Sequence, residues 1–406
     1  MRIIRLGVIF DQHIHAGGGY QQALNAALLT LQLPKDIVEV AFFTTLQDNI
    51  ATLSTHGIEA GLIKLSFFEK VRAFLRRRIT CARLLKFIQK IEQYSPLEKR
   101  LVEHKVDLVY FLSPSSWAQW LERLNYITSV WDLAHRDDPE FPEVRWNRLF
   151  EGRDRNYTLI LPRATAIFVD SELGKENASR RYGVDMERIH VIPFQEAEAT
   201  RHQLNSNPNN VVNIREKYQL DVPYVFYPAQ FWPHKNHVYL LEGLRVLQKA
   251  HGMRIGAIFS GGDQGNRSYI EAYVHKIGLK NRVRFAGFVT NEEIIDLYCQ
   301  SIALVMPSYF GPTNLPPLEA FQLGVPVLYS DKFGLRDQVG DAALLMDLKN
   351  PESMALHLKN LIDDEQMRNQ LVAAGFERLK HFNAYDRVQV IQNVIDHFRW
   401  KRLTWE

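Results

Sequence analysis

The residues best suited to chemistry lie in one run of the second half of the chain. The run is Pro307-Ser-Tyr-Phe-Gly-Pro-Thr-Asn-Leu-Pro-Pro-Leu-Glu-Ala-Phe, followed shortly by Gly324-Val-Pro-Val. Thr313, Asn314 and Leu315 precede the prolines at a predicted helix start, so their backbone N–H groups should stay free to face an anion. Glu319 falls one turn inside that helix, where its carboxylate can accept both hydroxyls of a ribose. A plain turn with a proline-rich helix start explains part of the run, but not all of it.

A basic loop lies upstream, after the first predicted strand of the second half. Its sequence is Phe226-Tyr-Pro-Ala-Gln-Phe-Trp-Pro-His-Lys-Asn-His. The flexible ammonium of Lys235, next to His234, can act as a point charge on a diphosphate. A solvated surface lysine would be the better interpretation of Lys235 alone. Together with Glu319, Lys235 predicts a nucleotide site.

Two segments of the first half could also touch a ligand. Gly17, Gly18 and Gly19 precede a predicted helix and would let the backbone approach a phosphate or sugar closely. Their spacing is not that of a dinucleotide-binding loop, so NAD is not predicted. After a later strand come Asp132 and His135, and a histidine suits proton transfer or hydrogen bonding near neutral pH. A loop histidine without chemistry explains His135 equally well.

The elements that position these residues are short apolar strands alternating with longer amphipathic segments, which predicts an α/β fold. A polar break at Asn205–Asn210 resembles an interdomain linker. We therefore predict a domain at 1–205, a second at 206–383, and a final helix at 384–406 that returns to the first domain and is capped by Asn383. The predicted strands are Ile3–Phe10, Val38–Phe43, Leu108–Leu112, Tyr126–Trp131, Ala166–Asp170, Tyr224–Tyr227, Ile255–Ser260, Val283–Ala286, Ala303–Pro307 and Pro326–Tyr329.

The run around Glu319 resembles the donor-binding motif of the retaining glycosyltransferases of family four. That family has the GT-B fold, in which two doubly wound Rossmann-like domains face each other across a cleft. The resemblance implies that Glu319 is the second glutamate of the family's paired motif and contacts ribose, whereas the first would fall at Gly311 and is missing. It also implies that Lys235 pairs with the donor diphosphate and that His234 replaces a common arginine.

The first half is similar to the same family. Gly17–Gly19 match a glycine loop that reaches the donor diphosphate. Asp132 is the best-matched position of its segment, Trp131 stands where relatives commonly have histidine, and His135 is the candidate polar group near the anomeric centre. Only residues from about 44 to 105 lack a counterpart in the family.

This resemblance implies transfer of a hexose with retention at the anomeric carbon. Because members of the family often transfer mannose-type sugars, it favours a mannose-type hexose. The donor would be a nucleoside diphosphate sugar, and the acceptor a glycan or lipid-linked glycan in assembly of a bacterial surface polysaccharide such as O-antigen. Because Gly311 and Trp131 depart from the family pattern, a non-catalytic binding or partner-stabilising protein on the same fold is the alternative. No further cofactor and no metal site are implied.

Composition indicates which partners and which cellular compartment to expect. A formal net charge of +3 over 406 residues is too small to indicate a nucleic-acid partner. Cys81 and Cys299 are predicted to be free thiols in a reducing compartment. The sequence shows neither a cleavable leader nor an apolar run long enough for a bilayer. We therefore expect a cytoplasmic protein, or one on the inner face of the plasma membrane.

The segment Lys64–Lys90 carries nine basic residues and one acidic residue, interleaved with apolar ones. Helical spacing puts most apolar positions on one side. One interpretation is a helical pair packed on its own domain with a solvated basic face. The other is a contact with anionic lipid, which would suit an enzyme elongating a lipid-linked glycan.

Overall fold

The computed structural model describes residues 2–13, 18–79, 86–88, 90, 92–195, 212–311 and 313–405. The predicted linker Asn205–Asn210, and with it the predicted boundary between 205 and 206, lies outside these residues, as does Cys81. The chain forms two compact units. The first unit comprises Met1–Leu133, Phe150–Pro193 and Asp386–Glu406, and the second comprises Ala134–Leu149 and Phe194–Tyr385.

The first unit is built on a parallel seven-stranded sheet in the order β3-β2-β1-β4-β5-β6-β7. Its strands are β1 Ile4–Phe10, β2 Val38–Thr44, β3 Ala60–Leu62, β4 Leu108–Phe111, β5 Asn125–Val130, β6 Ala166–Val169 and β7 Ile189–Val191. Its helices are α1 Gly18–Thr30, α2 Asn49–Thr55, α3 Phe67–Arg77, α4 Pro96–Glu103, α7 Leu149–Ile160, α8 Glu172–Tyr182 and α17 Arg387–Arg402.

Both faces of this sheet are buried, which explains why its strands are continuous apolar runs. Leu6 and Val8 of β1 point into a core that α1 and α17 cover, and Ile9 points into a second core on the opposite face. Helix α17 therefore lies in the first unit. It begins at Arg387 with Asp386 as N-cap, because Asn383, the predicted cap, is still part of the preceding helix.

The second unit contains a parallel six-stranded sheet in the order β10-β9-β8-β11-β12-β13. Its strands are β8 Tyr224–Pro228, β9 Gly256–Ser260, β10 Val283–Gly287, β11 Leu304–Met306, β12 Val327–Ser330 and β13 Leu344–Met346. Its helices are α5 Ala134–Asp137, α6 Pro142–Arg145, α9 Ile214–Lys217, α10 His237–His251, α11 Arg267–Lys276, α12 Asn291–Cys299, α13 Leu315–Gln322, α14 Arg336–Val339, α15 Pro351–Asp363 and α16 Glu365–Asn383. The strands predicted from apolar runs are present, and the three-residue strands β3, β7 and β13 are not among the predicted runs.

The units differ from the predicted domains at their borders, since the second unit runs from Phe194 to Tyr385, and in one whole segment. The segment 134–149, which carries α5 and α6, was expected in the first domain but groups with the second unit. Its contacts explain this, because Glu143 and Asp138 of this segment bind His234 and Lys332 of the second unit.

Strand order reverses at one place in each sheet. In the second sheet the reversal falls between β8 and β11, and in the first sheet it falls between β1 and β4. Loops leave the sheet in opposite directions at such a point and open a crevice at the carboxyl ends of the strands. Within the described residues no helix is both long and apolar enough to cross a bilayer.

Candidate functional site

Lys235 and the start of α13 meet at the reversal point of the second sheet. Lys235 follows β8, and Asn314, the N-cap residue of α13, follows β11. The Lys235 ammonium lies 3.4 Å from Asn314 Oδ1 and 3.5 Å from Ser308 Oγ. The two candidate residues, 79 positions apart in the sequence, are thus brought to one place where a helix start and a cation could both face an anion.

The backbone donors at this helix start differ from the expectation. The Asn314 N–H is not free, because it donates to Gln338 Oε1 at 2.9 Å, and Gln338 Nε2 donates back to Asn314 O at 2.5 Å. Leu315 is the first helical residue, so its N–H has no acceptor within the helix. Thr313 is buried beside it at 8% exposure. Leu315 and Thr313 therefore remain the candidate backbone contacts of an anion.

Gly311, where the first glutamate of the family motif would fall, has a conformation that disfavours a side chain. Its φ is +103°, and a Cβ built there would lie 2.9 Å from Asn314 Oδ1. The Asn314 amide occupies that space and is held by two bonds from Nδ2, to Gly311 O and to Tyr329 Oη, both at 2.7 Å. The loop is therefore built around the Asn314 amide in place of a carboxylate at 311.

Glu319 lies on α13, one turn beyond its start, and is 8% exposed. Its Oε2 accepts a hydrogen bond of 2.8 Å from the hydroxyl of Tyr298, which is fully buried on α12. Burial and the neighbouring Glu319 carboxylate raise the pKa of Tyr298, so its hydroxyl keeps its proton and donates. Tyr298 thereby fixes the orientation of the carboxylate that was predicted to hold ribose.

His234 is held by the protein itself. Its Nδ1 lies 2.6 Å from Glu143 Oε1, and its backbone N–H donates to the same oxygen at 2.9 Å. Its ring stacks on Phe310 with centroids 3.7 Å apart. Burial raises the pKa of Glu143, but the bonds from the His234 side chain and backbone outweigh it and leave the pKa below its ordinary value. The imidazole therefore fixes segment 134–149 beside the Gly311 loop.

The same segment carries His135. His135 lies on α5 and is fully buried. A second contact holds the segment, since Lys332 Nζ lies 2.6 Å from both carboxylate oxygens of Asp138. Phe141 adds ring contacts with Tyr309 and Phe310 at 5.2 and 5.6 Å. The loop that carries His135 is thus packed against the strand end that leads into α13.

Asp132, the second candidate catalytic residue, takes part in an ion pair of the first unit. Its Oδ1 accepts from Arg153 Nη2 at 2.7 Å. Burial lowers the pKa of Arg153, but the charge of Asp132 outweighs it and holds the pKa above its ordinary value. This contact gives Asp132 a structural task, because it ties the end of β5 to α7.

Steric contact explains why one of the three positions of the glycine loop must be glycine. A Cβ at Gly19 would lie 2.9 Å from the ring of Trp131, so the close approach of this tryptophan requires glycine there. Gly18 begins α1, and Gly17 lies outside the described residues. The cavity beside the loop is lined by Asp11, whose Oδ1 accepts from Ser113 Oγ at 2.6 Å.

Several residues of these sites carry no sequence signal that we recognised. The site in the second unit depends on Tyr298, Gln338 and Tyr329, which come from separate elements and look like ordinary helix or strand residues. Asp11 directly follows β1 and Ser113 lies two residues after β4, both next to the reversal point, and that position is the one signal that could have found them. Among the described residues, no group of three or more His, Cys, Asp or Glu side chains could hold a metal ion.

Comparisons with known proteins bear on the family and the fold. Residues 212–378 match the family model described as "Glycosyl transferases group 1". An O-antigen chain mannosyltransferase B of Escherichia coli is 26% identical over 74% of this chain and 79% of that protein. A glycosyltransferase structure from Rickettsia africae superposes with a TM-score of 0.70, at 14% identity over 98% of this chain and 99% of that one. Anabaena Alr3699/HepE in complex with UDP-glucose gives 0.68 at 17% identity, with 98% and 99% covered.

Proposed function

We propose that this chain, a glycosyltransferase of the family-four type with the GT-B fold, moves a hexose from a nucleoside diphosphate sugar to a glycan or lipid-linked acceptor. The proposal includes retention of configuration at the anomeric carbon and a role in bacterial surface polysaccharide synthesis. A mannose-type donor is favoured because an O-antigen mannosyltransferase is among the relatives, and a sugar nucleotide is favoured by the fold shared with HepE, whose structure holds UDP-glucose.

One observation carries the proposal. The Lys235 ammonium lies 3.4 Å from Oδ1 of Asn314, the N-cap residue of α13, and Glu319 follows one turn inside that helix. A cation and a helix start stabilise a diphosphate, and most strongly when cleavage of the sugar–phosphate bond adds charge to it. A buried, oriented carboxylate beside that site can accept the two ribose hydroxyls. Lys235 and Glu319 together therefore suit a leaving nucleoside diphosphate better than a lone phosphate.

The remaining roles follow the same chemistry. We assign Leu315 and Thr313 to the diphosphate, with Asn314 as the amide that positions Lys235, and His234 as the residue that positions the loop beside them. The glycine loop Gly17–Gly19 would supply backbone contacts to the donor. His135 would serve as the polar group near the anomeric carbon and Asp132 would hold its loop, so His135→Ala should retain donor binding and lower transfer.

Donor binding is the first test. Nucleoside diphosphate sugars are screened for a shift in the thermal unfolding of the protein, because a ligand at a hundred times its Kd stabilises the folded state by about 2.7 kcal/mol. Lys235→Ala should abolish the shift given by the best donor. The matched control is Lys249→Ala, which removes an exposed lysine from the far end of α10 in the same unit. An unchanged shift in Lys235→Ala would exclude this site.

Transfer is the second test. The purified protein, the best donor and a lipid-linked glycan acceptor should release nucleoside diphosphate, and NMR of the product should show the anomeric configuration of the donor. An inverted product would refute retention. Tight donor binding with no release in the presence of acceptor would instead favour the non-catalytic binding protein, the alternative that Gly311 and Trp131 suggest.

A further inference from the structure

Helix α3 of the first unit exposes an unusual amount of apolar side chain. Phe67 and Phe68 are 74% and 80% exposed, Leu75 is 58% exposed, and Phe74 and Val71 are 40% and 38% exposed. These five residues lie within a single helix of eleven residues. Singly exposed apolar residues are ordinary on protein surfaces, but a large contiguous apolar patch is typical of a surface that binds a protein, a membrane or a ligand.

The exposed residues form one face. At about 100° per residue, the five apolar side chains fall within an arc of about 120° around the helix. The opposite side contains Ala73 and Arg76, which are buried, and Glu69, which is partly buried. The helix is therefore turned with its apolar face outward and charged side chains inward. α3 thus contacts its own unit through Arg76 and does not bury its apolar face there, as expected for a helical pair with a solvated basic face; residues 80–85 and 89 of segment Lys64–Lys90 lie outside the described residues.

Specific contacts hold α3 in this orientation. The guanidinium of Arg76 is 3% exposed, and its Nε and Nη2 donate to the carboxylate of Glu122 at 2.6 and 2.9 Å. Its Nη1 donates to the Glu92 carbonyl at 2.9 Å. Ser66 and Glu69 form a reciprocal capping box at the other end of the helix. A rotation that buried the phenylalanines would pull the buried Arg76 guanidinium away from these partners and break its ion pair with the half-buried Glu122 carboxylate.

Basic residues flank the apolar face. Lys70 and Arg77 fall on one side of the arc, and Arg78 follows the last helical turn. The guanidinium carbons of Arg77 and Arg78 lie 5.6 and 4.4 Å from the centre of the Phe74 ring. Burial, and to a smaller extent the nearby positive charges of Arg155 and Arg78, lower the pKa of Arg77. The surface thus has an apolar centre and a positive edge.

We propose that the exposed face of α3 docks the protein on an anionic lipid surface. The aromatic and aliphatic side chains would enter the boundary between headgroups and acyl chains, with the helix lying in the plane of the membrane. Lys70, Arg77 and Arg78 would lie at the level of the lipid phosphates. A helix with a wide apolar face and a basic edge fits this partner, since a protein groove would have to supply matched acidic groups on its rim. The inference does not depend on the proposed donor or acceptor.

Co-sedimentation with vesicles tests the proposal. The full chain should bind vesicles of phosphatidylglycerol and phosphatidylcholine, and should bind phosphatidylcholine alone far more weakly. Phe67→Ser/Phe68→Ser should abolish binding. Lys70→Glu/Arg78→Glu should weaken it by at least about 25-fold, because each basic side chain contributes about fivefold near such a surface. Arg76 is left unchanged, since its role is to hold the helix.

Two measurements keep the test decisive. Trp400→Ser/Trp405→Ser removes aromatic residues of similar exposure, 62% and 57%, from the other end of the chain and should leave vesicle binding unchanged. Circular dichroism and thermal unfolding establish that each variant is folded. Equal binding of wild type and Phe67→Ser/Phe68→Ser would overturn the proposal. So would a wild-type dimer in sedimentation equilibrium that this variant converts to monomer, because the face would then belong to a second copy.

Discussion

Gly311→Glu restores the carboxylate that the family motif has at this position, yet we expect it to impair the protein. The φ of +103° at Gly311 is one that L-residues rarely adopt, and the new Cβ would lie 2.9 Å from Asn314 Oδ1 and 3.2 Å from Asn314 Nδ2. The Asn314 amide must move if the glutamate is to fit. That movement breaks its bonds to Gly311 O and Tyr329 Oη and displaces the acceptor of Lys235.

The expected increase in the apparent Kd for the donor follows from these contacts. Backbone strain at a non-glycine residue of this kind costs about 1–3 kcal/mol, and each lost hydrogen bond costs about 1 kcal/mol. A local change of the loop would relieve the strain and the lost bonds but disrupt the native arrangement, which the proposed donor site requires. If the native loop becomes less favourable by about 3 kcal/mol, the fraction competent to bind falls and the apparent Kd rises roughly 100-fold.

Isothermal titration calorimetry with the best donor measures this change. Gly278→Glu is the matched control, because Gly278 also has a positive φ of +75° in the second unit but no atom within 4 Å of a built Cβ. It should carry some backbone strain and bind the donor normally. If Gly311→Glu bound donor as the wild type does, or accelerated transfer, our account of the Gly311 loop would be wrong.

Two further predictions concern buried side chains of the second unit. Tyr298→Phe removes the hydroxyl that donates to Glu319. Because one hydrogen bond to a charged group is lost, nucleotide binding measured by calorimetry should weaken about tenfold. The control Tyr224→Phe removes a buried hydroxyl bonded to a backbone carbonyl and should leave binding unchanged. Burial lowers the pKa of His237, which stacks on Phe231, from 6.5 to about 3. The unfolded chain alone then takes up a proton below about pH 6.5, so stability should fall by about 2 kcal/mol between pH 7.5 and 5. His237→Phe should remove that loss from urea unfolding curves measured at the two pH values, and an unaltered pH slope would contradict the buried neutral imidazole.

The sequence by itself determined most of the strands and the general place of Lys235 and Glu319 in the candidate site. Apolar runs of strand length flanked by polar turns have one favourable arrangement, a parallel sheet covered on both faces. Lys235 follows β8 and Glu319 follows β11 by a fixed number of residues. Once β8 and β11 are neighbours, the two loops must leave from the same edge of the sheet, so both residues could be placed from sequence alone.

Only the tertiary structure decided how individual polar groups are used. The Asn314 N–H, expected to face an anion, bonds Gln338 on α14, and His234 bonds Glu143 of a segment assigned by sequence to the other domain. Helix α3 shows the same limit. Its spacing predicts an apolar face and a charged face, but the direction of the apolar face is set by the partner that Arg76 finds on Glu122, 46 residues away. Local periodicity fixes which side chains share a face, whereas contacts between distant segments fix what that face meets.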